Sequence, residues 1–225
     1  MFMGKLGAVA RAGLIKEYRK LLTCLALFLA FLLILLFRSG FSQIDSRVSL
    51  WVPSIQSVNF TGIALAISDA FEIHVLLMVT AALAALLFFK HRKEEGLLLL
   101  GAMGGVAAVT EAVKVLIRSP RPLNGLTVES GFSFPSGHVS GITVFCGILA
   151  FIAWQRWRSD RSRRLIIALA VGVASLVGLD RIYLNVHWFS DVLGGYVLGT
   201  FWVSLSILVY DVLRRKGALR SKISG

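Results

Sequence analysis

The chain has 225 residues, 56% of them hydrophobic, with a mean hydropathy of +0.78. That balance excludes an ordinary soluble domain and points to a polytopic membrane protein. The formal charge of +12 does not mark a nucleic-acid partner, because Lys and Arg sit in short clusters between apolar runs, as at helix ends meeting anionic lipid.

In chain order, a basic segment carrying Lys5, Arg11, Lys16, Arg19 and Lys20 leads into a first apolar run, Leu21–Phe37. No small-residue cleavage site follows it, so it reads as an uncleaved anchor. Residues 39–72 form the next segment. Its apolar patch TGIALAI, Thr61–Ile67, is too short to span a bilayer and suits an amphipathic helix lying in the interface. Further runs follow at Ile73–Phe89, Leu97–Ile117, Val139–Trp154, Leu165–Leu179 and Val192–Val212. A spanning helix needs roughly 17–25 residues, so the fourth and fifth runs are short; flanking Arg and Trp side chains can snorkel to the interface and complete them. Backbone in lipid must satisfy its own hydrogen bonds, so the expected fold is all-α, a bundle of six transmembrane helices. It forms a single domain over residues 1–225: a basic N-terminus at 1–20, a six-span core at 21–212 and a basic tail at 213–225. Cys24 and Cys146 fall inside apolar runs and read as small buried hydrophobes.

Charge counting orients the bundle. Besides the N-terminal cluster, one side collects Lys90, Arg92 and Lys93, then Arg156, Arg158, Arg161, Arg163 and Arg164, then Arg214, Arg215, Lys216, Arg220 and Lys222. The other side holds only Arg38, Arg47, Arg118, Arg121 and Arg181, and Lys114 lies within the third run. The positive-inside rule places both termini in the cytoplasm.

Three polar stretches then face outward together. The first is KVLIRSPRP, Lys114–Pro122. An ammonium within a span costs roughly 2.5–3.5 kcal/mol on insertion scales, so Lys114 faces a polar cavity, pairs with Glu111 or snorkels outward. Lys114 and Arg118 are four apart, on one helical face, and Pro120 and Pro122 break the helix and turn Arg121. Three cations on one rim suit a phosphate. The second is FPSGH, Phe134–His138, in which Ser136 can cap the following helix and Gly137 admits close backbone approach. Free N–H groups there suit an anion, although the motif alone favours an ordinary cap beside a solvent-facing His138. The third is RIYLNVHWFSD, Arg181–Asp191. His187 and Asp191 share a helical face, so the carboxylate can fix the ring tautomer and leave the other nitrogen free to attack. Arg181 adds a charge for phosphate oxygens, and such equipment suffices for phosphoryl transfer.

Together these residues resemble the type 2 phosphatidic acid phosphatase superfamily, which includes vanadium haloperoxidases. The family pattern is Lys, six residues, Arg-Pro; then Pro-Ser-Gly-His; then Ser-Arg, five residues, His, three residues, Asp. Lys114 through Pro122 and Pro135–His138 match completely; Arg181, His187 and Asp191 match the third motif, with Asp180 where Ser is usual. The resemblance implies His187 as nucleophile, forming a phosphohistidine, oriented by Asp191. It implies His138 as acid and base, and Lys114, Arg121, Ser136, Gly137 and Arg181 as phosphate-holding residues. It implies no metal or other cofactor, and the sequence shows no carboxylate cluster suited to magnesium. Asp180 is expected to brace Arg181 or Arg118 by an ion pair; Arg118 and Glu129 lie beside the site but outside the pattern.

The implied partners are the bilayer and a membrane lipid phosphate, with no role for nucleic acid. Bacterial members that resemble this chain handle undecaprenyl pyrophosphate, phosphatidylglycerophosphate or phosphatidic acid, which implies a metal-independent lipid phosphatase of a prokaryotic plasma membrane with its site facing outward. A lipid phosphotransferase using the same intermediate is the alternative, ahead of a transporter or an inactive lipid-binding protein.

Overall fold

The computed structural model describes residues 2–157 and 159–223, with side chains described between Glu17 and Lys216 apart from Arg158. Lys5, Arg11, Lys16, Arg158, Arg220 and Lys222, which entered the charge count, lie outside the described side chains. The structure is helical throughout, with no strand among the described residues. Its elements are α1 (Phe2–Leu36), α2 (Ser42–Trp51), α3 (Val58–Ala70), α4 (Ile73–Phe89), α5 (Lys93–Ile117), α6 (Gly137–Trp154), α7 (Asp160–Tyr183) and α8 (Phe189–Ile223). Two 3₁₀ turns, Arg38–Phe41 and Val52–Ile55, flank α2.

Five helices, α1, α5, α6, α7 and α8, are long and apolar enough to cross a membrane. The sixth expected span is α4, 17 residues long. At 1.5 Å per residue it reaches about 26 Å, just short of a bilayer's hydrocarbon core. The TGIALAI patch is helical, within α3, which meets α4 at a bend of 48°. The two runs that read as short belong to helices of 18 and 24 residues, extended by polar ends that apolar counting leaves out. At the start of α7, Arg163 lies over the Trp154 ring at 4.8 Å, where the expected Trp and Arg anchors meet.

The helix α6 runs through the centre, packed on α5, α7 and α8, with α1 against α8 and α4 against α5. Its buried face, including Ile142, Val144 and Ile148, meets Leu99, Met103 and Val106 of α5 and Val177 of α7. Close passage of α8 across α6 depends on glycine: a Cβ on Gly195 would lie 2.9 Å from the Ser136 carbonyl oxygen, and one on Gly199 2.7 Å from Thr143 Cβ. Lipid provides little hydrophobic drive between helices, so small residues at such crossings let dispersion contacts hold them. Cys24 is buried, Cys146 half-buried, and both are free thiols.

The bundle has two chemically distinct ends. At one, Glu17 of α1 pairs with Arg215 of α8 at 2.5 Å, Lys20 with Asp211, and Glu94 of α5 with Arg214 at 3.6 Å. At the other end α5 stops, α6 and α8 begin, and α7 stops. The three polar stretches therefore converge as the span count requires.

Candidate active site

The α5 helix ends because Arg118 takes a left-handed conformation, φ 52°, as its C-cap, and prolines follow directly. Helical periodicity therefore fails at Arg118. Its side chain bonds back to the Val115 carbonyl oxygen at 3.2 Å and stays exposed, so it does not share the Lys114 face as expected from spacing. Lys114 does turn inward. Its Nζ lies 3.0 Å from Glu111 Oε1 and 3.5 Å from the position a Cβ on Gly137 would take. Both readings of this lysine hold: it is paired, and it lines the cavity.

Residues 118–136 carry the chain from α5 to α6. Arg121 is pinned by donating to the carbonyl oxygens of Gly131 and Ser130, each at 3.2 Å, and of Val186 at 3.0 Å. Those bonds aim its guanidinium at His187, whose Nε2 lies 3.2 Å from Arg121 Nη1. At the start of α6, the Ser136 N–H donates to the Asp191 carbonyl oxygen at 3.1 Å, tying the α6 and α8 starts together. Ser136 Oγ is buried and has no partner among the described residues, and it does not cap its own helix. The first amides of α6 have no intrahelical acceptor either, so hydroxyl and N–H groups are available to one anion.

Arg181 closes the far side. It is 0% exposed and donates from Nε to Asp180 Oδ2 at 3.0 Å, with a second, shorter contact from Nη2. The expected brace is therefore present, directed at Arg181 and not at Arg118. Arg181 Nη1 reaches Glu129 Oε1 at 2.7 Å and lies 3.4 Å from His138 Nε2. His187 Nδ1 lies 3.5 Å from Asp191 Oδ2, and its Nε2 looks toward the cations. Burial holds the His187 pKa below its ordinary value against the opposing pull of Asp191, which favours the neutral ring.

Two residues matter more here than their sequence context suggested. Glu129, set aside as outside the pattern, puts Oε2 3.0 Å from Arg121 and 3.9 Å from His187 while Oε1 holds Arg181. Burial works to raise its pKa, but His187, His138, Arg121 and Arg181 outweigh burial and leave it below the ordinary carboxylate value. An ionised carboxylate thus sits among the very cations suited to phosphate. Arg38, counted only as one of few charges on the outer side, reaches Asp191 Oδ1 at 3.2 Å. A charge that breaks the positive-inside bias was the available signal.

Several of these groups line a cavity of about 750 Å³. Lys114, Arg121, Glu129, Gly137, His138 and His187 contribute to its wall, as do the apolar Ile73, Leu77, Val106 and Ala107 and the polar Ser68, Asp69, Glu72 and His74. Val106 and Lys114 are eight residues apart on α5, so the cavity runs about 12 Å along that helix.

Comparison with known proteins accounts for this constellation. The PAP2 superfamily model matches residues 95–215. The chain belongs to the PAP2 superfamily. The match begins at the start of α5 and covers all three motif stretches. Phosphatidylglycerophosphatase B of Bacillus subtilis (strain 168) is 35% identical over 126 residues, 55% of this chain and 62% of that protein. Undecaprenyl-diphosphatase of Sulfolobus acidocaldarius is 27% identical over 156 residues, 66% of this chain and 69% of that protein. The crystal structure of a transmembrane PAP2 type phosphatidylglycerolphosphate phosphatase from Bacillus subtilis superposes with a TM-score of 0.72 at 27% identity, over 81% of this chain and 93% of that one. This PAP2 chain is thus an all-helical integral membrane protein.

Two substitutions probe the charge arrangement. Glu129→Gln removes the anion that competes for Arg121 and Arg181, so inhibition by inorganic phosphate or vanadate should tighten about tenfold, equivalent to about 1.4 kcal/mol; unchanged inhibition constants would show that Glu129 is no competitor. Asp180→Ser leaves Arg181 without its brace, and charge-assisted bonds of this kind are worth roughly 1.5–3 kcal/mol. Turnover should fall by about ten- to a hundredfold, and unchanged turnover would dismiss the brace.

Proposed function

We propose that this chain is a phosphatase of membrane lipid phosphates that works through a phosphohistidine on His187. One observation carries the reading: His187 Nε2 faces the Arg121 guanidinium at 3.2 Å beside a cavity that His138 and Lys114 also line.

In this mechanism the substrate phosphate displaces Glu129, and Lys114, Arg121, Arg181, Ser136 and the Gly137 amide take its oxygens. The Nε2 lone pair of His187 attacks phosphorus as the bond to the lipid oxygen breaks. Protonated His138 supplies the proton that oxygen needs, a role worth typically about 10²–10⁴ in rate. His138 then removes a proton from water, which attacks phosphorus and breaks the P–N bond. Inorganic phosphate leaves and His187 is restored. Asp191, behind Nδ1, offsets the positive charge that the ring carries as phosphohistidine.

Apolar side chains in the cavity wall favour a lipid phosphate over a soluble ester, since part of a chain can lie against Ile73, Leu77 and Val106 while the head group meets the cations. The relatives' names point to phosphatidylglycerophosphate or an undecaprenyl diphosphate, and phosphatidic acid shares the chemistry. We place the site on the extracytoplasmic side of a prokaryotic plasma membrane, because the basic clusters gather at the opposite end of the bundle. Residues 1–225 act as one domain in this reading.

The test is phosphate release from a panel of these lipid phosphates in detergent. His187→Ala should lose at least about a thousandfold of the activity, while EDTA should leave the wild type unchanged. Wild-type turnover by His187→Ala, or strict dependence on added magnesium, would overturn the proposal. Product analysis with added lipid alcohol separates hydrolysis from transfer to that alcohol.

A further inference from the structure

We infer that Arg38 is a positioning residue for His187, acting through Asp191. The inference rests on the proposed role of His187 and extends it to an element outside the three motifs.

Asp191 is 0% exposed, and a carboxylate so buried needs a countercharge. His187 does not provide one in the resting site, because a nucleophilic imidazole must be neutral. The two carboxylate oxygens divide the task. Oδ2 accepts from the Trp188 N–H at 2.9 Å and lies 3.5 Å from His187 Nδ1; Oδ1 lies 3.2 Å from Arg38 Nη2. Arg38 is therefore the cation paired with Asp191, bound at the oxygen that does not face the imidazole, so Oδ2 stays toward Nδ1 and favours the Nδ1–H tautomer. That tautomer points the Nε2 lone pair toward the cavity.

Arg38 is itself held in place. Its Nη2 donates to Ser119 Oγ at 2.7 Å, and its guanidinium lies over the fully buried Phe134 ring at 4.4 Å. Ser119 in turn accepts from Ser133 Oγ at 2.8 Å. One side chain at the end of α1 thus joins the α5–α6 segment to the start of α8. The following helix adds a second tie: Asp45 of α2 accepts from the Ser190 N–H and Oγ, each at 2.8 Å, beside Asp191. Arg38 Nη2 is already engaged by Ser119 Oγ and Asp191 Oδ1. Its influence must pass through the His187–Asp191 pair.

The experiment compares Arg38→Gln and Arg38→Lys with the wild type, measuring kcat, KM, the acid limb of the pH–rate profile and thermal melting in one detergent. In Arg38→Gln, kcat should fall about ten- to a hundredfold with KM within about threefold, as expected for a misdirected nucleophile. Around His187 and Asp191 stand Arg121 and Glu129 from the α5–α6 segment, His138 from α6 and Asp45 from α2. All of them remain in the variant, so loss of the one cation at Arg38 favours the imidazolium and moves the acid limb upward by about half a unit to one unit. The substrate's own ionisation is common to both proteins and cancels in the comparison. Arg38→Lys restores the charge and should return the limb to its wild-type position with most of kcat. Should the Gln form not fold, Arg38→Met keeps packing against Phe134 and is read by the same criteria. Wild-type kcat, a loss confined to KM, a fall in kcat without movement of the limb, or failure of both neutral variants to fold would each overturn the inference. His187→Ala run alongside separates the two claims. If it keeps wild-type activity, the phosphohistidine reading fails; if it is inactive while Arg38→Gln is normal, only the role of Arg38 fails.

Discussion

A guanidinium with no exposure to solvent, Arg181, is the constraint around which this end of the bundle is built. A charge taken out of water is tolerated only with partners close by, and an unpaired one would empty the bundle of stability. Asp180 supplies one partner from the same helix and Glu129 another from the α5–α6 segment. The same pairing repeats around the site: Lys114 with Glu111, Arg121 with Glu129, Arg38 with Asp191. The site is thus balanced charge against charge. In the proposed reaction a dianionic head group exchanges with the carboxylate that holds two of the cations together, while the other pairs keep their places.

Backbone contacts convert that balance into geometry. The Ser136 N–H bond to the Asp191 carbonyl oxygen couples the turn before α6 to the helix that carries Asp191. Gly195 and Gly199 permit the approach on which that bond depends. His187 lies in the short turn between α7 and α8, after Asn185 in the left-handed region at φ 53°. That turn brings Val186 back to Arg121, so the residue that faces His187 is fixed by the same backbone that presents His187. Hydrogen bonds from Arg121 to the carbonyl oxygens of Ser130, Gly131 and Val186 thus fix the connecting segments that carry these side chains.

Much of this was legible in the sequence because a bilayer leaves few options. Apolar runs in lipid must be helices, and six of them with clustered cations bring the Lys114, Ser136 and His187 stretches to one end. Asp180 could be paired with Arg181 from adjacency and charge alone. What escaped has physical reasons. Arg118 looked like a neighbour of Lys114 by helical spacing, but the helix stops one residue before it, and a left-handed cap changes where a side chain points. Glu129 sits in a stretch with no periodicity to place it. Arg38 lies just past the end of its apolar run and 153 positions from its partner Asp191, so no local pattern joins them. Of the five arginines on the less basic side, Arg38, Arg121 and Arg181 turn into the site, whereas Arg47 and Arg118 remain exposed. The exceptions to a charge rule were better guides than the rule's own tally.

The most direct measurement is the position of the phosphoryl group during turnover. Purified protein is mixed with a lipid phosphate, quenched in alkali within the first turnovers and analysed by mass spectrometry. A phosphoramidate survives alkali and is lost in acid, so the account predicts a phosphoryl group on the His187 imidazole with that stability. A phosphoryl group trapped on a different residue, or sustained turnover by a chain that lacks the His187 imidazole, would contradict it.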